Sequence, residues 1–157
     1  PVWRLGIRGF TSQPDYKYRL ARYDTTFKIL KKHLFLGVGL DNYRYVFDEY
    51  HQEKFIPDYW KVPDNMFLSI LGETGIFGFF SFILFMIMLL KKGFLFFNSN
   101  LKNENTEISF ILVLAIMGIL FSMMTYDLFY WTVPFYMFWI YCGMLSSITI
   151  EPDKRYA

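Results

Sequence analysis

Three stretches without a charged side chain dominate the second half of this sequence. Thr74 to Leu90 lies between Glu73 and Lys91, Ile108 to Tyr126 between Glu107 and Asp127, and Leu128 to Ile150 between Asp127 and Glu151. A helix needs roughly 20 predominantly apolar residues to cross a bilayer. The second and third windows meet that length directly, and the first meets it once the polar-tipped turns 65–73 are added. Three such windows in 157 residues are too many for the core helices of a soluble domain. The reading is an all-α membrane protein with transmembrane helices at 65–92, 108–126 and 128–150. A loop at 93–107 and a tail at 151–157 complete the membrane part, and an amphipathic helical segment at 1–64 precedes it.

Charge is spread unevenly. Most of the 16 Lys and Arg, and more than half of the 14 Asp and Glu, fall in residues 1–64. The formal net charge of +2 is too small and too scattered for a nucleic-acid surface. With Cys142 as the single cysteine, an internal disulfide is excluded. His33 and His51 form no recognisable metal cluster with it, and no cofactor is assigned. The sequence starts at Pro1 without a signal-peptide pattern and reads as the C-terminal piece of a larger protein.

Basic residues orient the windows. Lys91, Lys92 and Lys102 follow the first window and Lys154 and Arg155 follow the third, whereas the turn between the second and third carries only Asp127. The positive-inside rule then puts loop 93–107 and the tail in the cytoplasm, and residues 1–64 with the Asp127 turn on the outer face. Tyr126, Phe129, Tyr130 and Trp131 suit that outer interface, and Pro134 suits the first turn of the last helix.

In the outer segment, "DYKYRLARYDTTFKILKKH" (15–33) carries Leu20, Tyr23, Phe27 and Leu30 at helical spacing, which predicts an amphipathic helix. Gly37 and Gly39 end it. Asp41 or Asn42 is placed to cap a second helix running to about Gln52. A Pro-rich loop, "IPDYWKVPDN", then leads to the first membrane helix. On that helix Asn65, Ser69 and Glu73 recur every four residues and share a face. Two readings apply: polar contacts between helices at the interface, or the lining of an outward-facing cavity. Gly72, Gly75 and Gly78 would let another helix approach closely.

Four pieces occur in order: Arg19-x-x-x-Tyr23, His33-Leu34, "FLGVGLDNY", and "PDNMFLSILGETGIFG". In them the chain resembles the O-antigen ligase and polymerase superfamily of bacterial envelope glycosyltransferases. That superfamily's pattern is R-x-x-x-[WY], an amphipathic stretch ending in His-Pro, L-x-G-V-G, and [AP]-H-N-x-[YF]-L followed by E-T-G-x-x-G. Leu34 stands for the Pro, and Asp64 stands where ligases commonly carry His. The resemblance implies the C-terminal part of a multi-pass, GT-C-like enzyme of the bacterial inner membrane. Its donor would be an oligosaccharide on undecaprenyl diphosphate, its acceptor another glycan, and the upstream part of the same polypeptide would supply further helices. No nucleotide sugar or metal would be required.

On that resemblance the chemistry assigns roles. The leaving diphosphate gains charge that a guanidinium can stabilise. Arg19 is the first choice and Arg22 the second, although a solvated helix face is the commoner role for Arg22. Asp64 is placed either as general base for the acceptor hydroxyl or as the cap of the membrane helix. Asn65 would orient sugar or diphosphate, and Glu73 would line the cavity or serve structure. His33 is expected as a helix-end residue rather than a catalyst, and Tyr59 and Trp60 as interfacial anchors rather than platforms for sugar rings. Two other classes compete: a transporter or flippase fragment with a polar pathway face, and a non-catalytic membrane assembly protein.

Overall fold

In the computed structural model, residues 15–51, 61–98 and 104–150 are described. Among them the regular structure is entirely helical. The elements are α1 (Asp15–Lys32), α2 (Tyr43–Tyr50), α3 (Met66–Phe97), α4 (Glu104–Ser122) and α5 (Thr132–Ile148), with a short 3-10 turn at Leu128–Tyr130. Two compact units divide the chain, Pro1–Phe77 and Gly78–Ala157.

In the first unit, α1 forms where the periodicity predicts it, but of the expected apolar face only Leu30 is buried. Leu20 and Phe27 are exposed, while Arg22, Thr25, Thr26, Ile29 and Leu30 are buried. The physical reason is that α2 and its flank offer polar partners. Thr26 Oγ1 donates to the Arg22 carbonyl, so the Tyr43 hydroxyl, 2.5 Å away, is the donor between the two. Thr25 Oγ1 lies 2.9 Å from His51 Nδ1. Ile29, Tyr43 and Phe47 form the fully buried core of this unit, with Val38, Val46 and Tyr50 packed at its edge. Each such core side chain stabilises by about 1.5–3 kcal/mol. Asn42 stands at the start of α2 but makes no side-chain cap; its amide donates to the Val38 carbonyl instead, at 3.2 Å.

The loop after α1 is joined to a break in α3. At Gly75 (φ 67, ψ −170) the helix leaves helical geometry. An intact helix would pair Ile76 N–H with the Gly72 carbonyl and Phe77 N–H with the Glu73 carbonyl. Here Val38 and Gly39 donate to those two carbonyls at 3.0 and 2.9 Å, and Ile76 and Phe77 donate to the Leu34 and Phe35 carbonyls at 2.8 and 3.5 Å. The loop therefore satisfies the backbone groups that the break releases. Gly72 and Gly75 do admit a close neighbour, as expected, but it is not another membrane helix. The ring of Tyr43 lies against Gly72, and the loop backbone at Phe35 and Gly37 lies against Gly75.

In the second unit, the later part of α3 packs with α4 and α5. A Cβ on Gly93 would come within 2.7 Å of Val113 Cγ2 and 2.8 Å of Leu145 Cδ1, and Ser109 Oγ donates to the Gly93 carbonyl at 3.0 Å. Phe82, Phe129, Phe138 and Trp139 form an aromatic cluster. Tyr126 and Trp131 are exposed, whereas Phe129 is packed into that cluster. Pro134 falls in the first turn of α5.

Two helices, α3 and α4, are long and apolar enough to cross a membrane, and only 22% and 28% of their most apolar windows are buried. Core helices of a soluble protein would be mostly covered. The first differs from the expected span 65–92, because it is interrupted at Gly75 and runs on to Phe97. Beyond the break its uncharged part, residues 76–90, covers about 22 Å at 1.5 Å per residue; exposed Lys91 and Lys92 follow, and their long side chains can reach the interface from the edge of a hydrocarbon core of about 30 Å. Because α4 begins at Glu104, the connection 98–103 is shorter than the loop read from the sequence. The third window yields only a 17-residue apolar helix, α5, preceded by the 3-10 turn.

Candidate active site at the start of the apolar helix

Helix α3 is entered through Pro63, Asp64 and Asn65. Asn65 is its cap: Oδ1 accepts from Leu68 N–H at 3.2 Å, and Ser69 Oγ donates to the Asn65 carbonyl at 3.3 Å. The capping role considered for Asp64 therefore belongs to its neighbour. Asp64 instead has a left-handed backbone, φ 49, a region that among non-glycine residues favours Asn, Asp and His.

Its carboxylate meets α1. Arg22 Nη2 donates to Asp64 Oδ2 at 2.5 Å, and Arg22 Nη1 donates to the Val62 carbonyl at 3.2 Å. Arg19 Nε lies 3.7 Å from the same Oδ2. Arg19 and Arg22 are three residues apart on α1 and so are neighbours on its surface. The side chain of Arg22 is 9% exposed, that of Asp64 31% and that of Arg19 41%. Arg22 is thus no solvated helix-face residue. It holds the segment before α3, while Arg19 stands at the open side of the same carboxylate. Two guanidinium groups around one carboxylate leave a net positive cluster, suited to an anion of phosphate type and adjacent to a group that can accept a proton.

The other expected site residues are placed apart. Asn65 neighbours the cluster, but its Oδ1 is committed to the cap. Glu73 is buried, about 12 Å further along the helix at 1.5 Å per residue, with its carbonyl bound to Gly39 N–H. Ser69 is also buried, so the shared face lies inside the first unit. His33 is exposed just after α1, its Nε2 3.3 Å from the Tyr50 hydroxyl. Tyr59 and Trp60 lie outside the described residues. Sequence reasoning missed the Val62 carbonyl and the Thr26–Tyr43 contact that fixes α1 against α2. The Pro-Asp-Asn turn signal was the available hint that the chain reverses here.

A family model described as O-antigen ligase matches residues 4–83. The chain belongs to the O-antigen ligase family. The matched region contains Arg19, Arg22, Asp64, Asn65 and Glu73 together with the Gly37–Gly75 junction. Membership in the O-antigen ligase family, which is membrane-embedded, agrees with the apolar, largely uncovered α3 and α4. Searches of curated proteins and of solved structures gave no match.

Proposed function

We propose that the chain is the catalytic C-terminal part of a membrane glycosyltransferase that polymerises or ligates undecaprenyl-diphosphate-linked oligosaccharides of a bacterial surface polysaccharide. The observation that carries this reading is the convergence of Arg19 and Arg22 on Asp64 at the start of an apolar helix. In the reaction, the acceptor hydroxyl oxygen attacks C1 of the donor sugar and its proton passes to the Asp64 carboxylate. The bond from C1 to the phosphate oxygen breaks, and undecaprenyl diphosphate leaves with the bonding pair. Arg19, the more exposed guanidinium, meets the charge that develops on the leaving group. Arg22 positions Asp64 and the segment before α3. Asn65 fixes the start of α3 beside the site by capping it, and Glu73, buried on the same helix, serves structure. The reaction calls for neither metal nor nucleotide sugar.

For the topology, residues 1–64 and the Asp127 turn face the outside of the inner membrane, the α3–α4 connection and the tail face the cytoplasm, and α5 is the third span. The exposed Tyr126 and Trp131 beside Asp127 support an interfacial position for that turn, and Lys91, Lys92, Lys102, Lys154 and Arg155 support the orientation. The function is tested by glycan chain formation in cells lacking the native gene, with protein level followed by blot. Loss of chains in Arg19→Ala at normal protein level supports the reading. Normal chains from both Arg19→Ala and Asp64→Asn remove it.

A further inference from the structure

Between Lys31-Lys32-His33 and Asp41-Asn42, the chain carries no polar side chain. In a water-facing loop the apolar side chains would turn inward. Here Leu34, Phe35, Leu36 and Leu40 are exposed, the last two at 77%, and exposed Phe77 stacks on Phe35 with ring centroids 5.7 Å apart. The backbone of the same loop behaves in the opposite way. Gly37 N–H bonds to the His33 carbonyl, Val38 and Gly39 N–H to α3, and the Leu34 and Phe35 carbonyls accept from α3. Unpaired backbone groups are what keeps irregular chain out of lipid; here the groups named are paired within the protein, and the side chains turned outward are apolar. A loop in water requires neither.

The position of the loop follows from its partners. It is bonded to residues 72–77 of α3, and the uncharged stretch of that helix begins at Thr74. Lys31 and Lys32, both exposed in the last turn of α1, bound the apolar run on one side, and exposed Asp41 and Asn42 bound it on the other. Lys32 Nζ also lies 4.8 Å over the Tyr50 ring, as an amphipathic side chain at an interface can.

We propose that the loop Leu34–Leu40 is inserted among lipid acyl chains beside Phe77, with Lys31 and Lys32 at the level of anionic headgroups, so that the Gly37–Gly75 junction anchors the Arg19–Arg22–Asp64 unit to the bilayer surface. The proposal rests on the reading that α3 spans the membrane. It commits to bulk lipid as the occupant, rather than a polyprenyl tail or another protein segment.

The test uses spin labels at Leu36→Cys, Leu40→Cys, Asp24→Cys and Phe80→Cys, each in a Cys142→Ala background of the intact protein. The protein is held in nanodiscs of phosphatidylethanolamine and phosphatidylglycerol free of polyprenyl lipid. Collision with oxygen reports lipid, and collision with a water-soluble nickel chelate reports water. Labels at 36, 40 and 80 are expected to collide mainly with oxygen, and the label at 24 mainly with nickel. Two positions in the loop keep the test intact if one variant fails to fold. Nickel access at 36 and 40 with oxygen access at 80 overturns the inserted loop and leaves the spanning helix standing. Low collision with both reagents at 36 and 40 means that protein covers the loop and also overturns it. So does an oxygen signal that arises only when polyprenyl diphosphate is added. Nickel access at 80 overturns the spanning reading itself.

Discussion

Gly37 and Gly75 stand backbone to backbone, each with φ 67. A Cβ on Gly37 would lie 2.3 Å from the Glu73 carbonyl carbon, and a Cβ on Gly75 would lie 2.4 Å from that of Phe35. Each glycine is required twice, for its left-handed backbone and for the space its neighbour fills. The "LGVG" and "ETG" stretches are thus the two halves of one joint. The four backbone bonds across it hold α1 and α2 to the start of the apolar helix.

Alanine at either glycine is expected to be severe. The backbone conformation alone costs about 1–3 kcal/mol for a residue other than glycine, and the φ/ψ of Gly75 falls in a region almost reserved for glycine; the added methyl also meets backbone that no rotamer can move. Gly37→Ala and Gly75→Ala should each lower the melting temperature of the purified protein and its level in cells. Combining them should not restore stability, because each clash is with backbone and not with the other Cβ. Gly118 in α4 is the control: nothing lies within 4 Å of its Cβ position. There alanine should be neutral or stabilise by up to about 1 kcal/mol. Normal melting of Gly37→Ala would show that the loop can leave α3 without cost.

Much of this was legible in the sequence, and what was not has a physical cause. The helices were readable because their apolar runs and breakers are local. The face of α1 was not, because helical spacing of Leu20, Tyr23, Phe27 and Leu30 signals burial only when the partner is apolar. Here the neighbours of Thr25 and Thr26 are His51 and Tyr43, and the exposed leucine and phenylalanine belong to a membrane protein. Arg19, Arg22 and Asp64 could be named singly from their chemistry, but that they meet depends on a reversal of the chain through Asp64. A single sequence does not reveal a left-handed aspartate. The break at Gly75 was hidden for a similar reason: a glycine in a membrane helix usually marks close helix packing.

The two arginines should separate in stability and activity. Arg22 is nearly covered and makes hydrogen bonds to both Asp64 and Val62. Hydrogen bonds to charged groups contribute about 1.5–3 kcal/mol, so Arg22→Ala should melt early. Arg22→Lys should recover part of that loss, since an ammonium lacks the planar fork that reaches two acceptors. Arg19 is 41% exposed and 3.7 Å from its partner, and an exposed pair of this kind contributes at most about 1 kcal/mol. Arg19→Ala should therefore melt near the parent protein while transfer falls, and Arg19→Lys should retain intermediate activity. An early-melting Arg19→Ala would assign that residue to structure.

The orientation gives a labelling prediction. Asp24 is exposed on α1, and Ser99 lies in the connection between α3 and α4. Single cysteines at Asp24 and Ser99, in a Cys142→Ser background, should label oppositely with an impermeant thiol reagent. Asp24→Cys should react in spheroplasts and Ser99→Cys only after lysis. The reverse pattern would put the arginine cluster in the cytoplasm and remove the outer-face reaction.

The entry to α3 separates capping from proton transfer, because the two jobs fall on adjacent residues. Asn65→Ala removes the bond to Leu68 N–H and should destabilise by about 1 kcal/mol. Asn65→Asp can still cap and should recover that loss. Asp64→Asn keeps the left-handed preference and an oxygen that can accept from Arg22, but it cannot take the acceptor's proton. If Asp64 serves only to hold the arginines, Asp64→Asn should melt a little early and make chains at close to the parent rate. A base role predicts a rate lower by about 10²–10⁴ at normal protein level. Asp64→His distinguishes further. Histidine also tolerates the left-handed backbone and can accept a proton, but its ring cannot accept a charge-assisted bond from Arg22 as a carboxylate does. Asp64→His should therefore melt below Asp64→Asn yet transfer glycan faster. If Asp64→His is as inactive as Asp64→Ala while Asp64→Asn is fully active, the carboxylate is an anchor for Arg22 and the proton goes elsewhere.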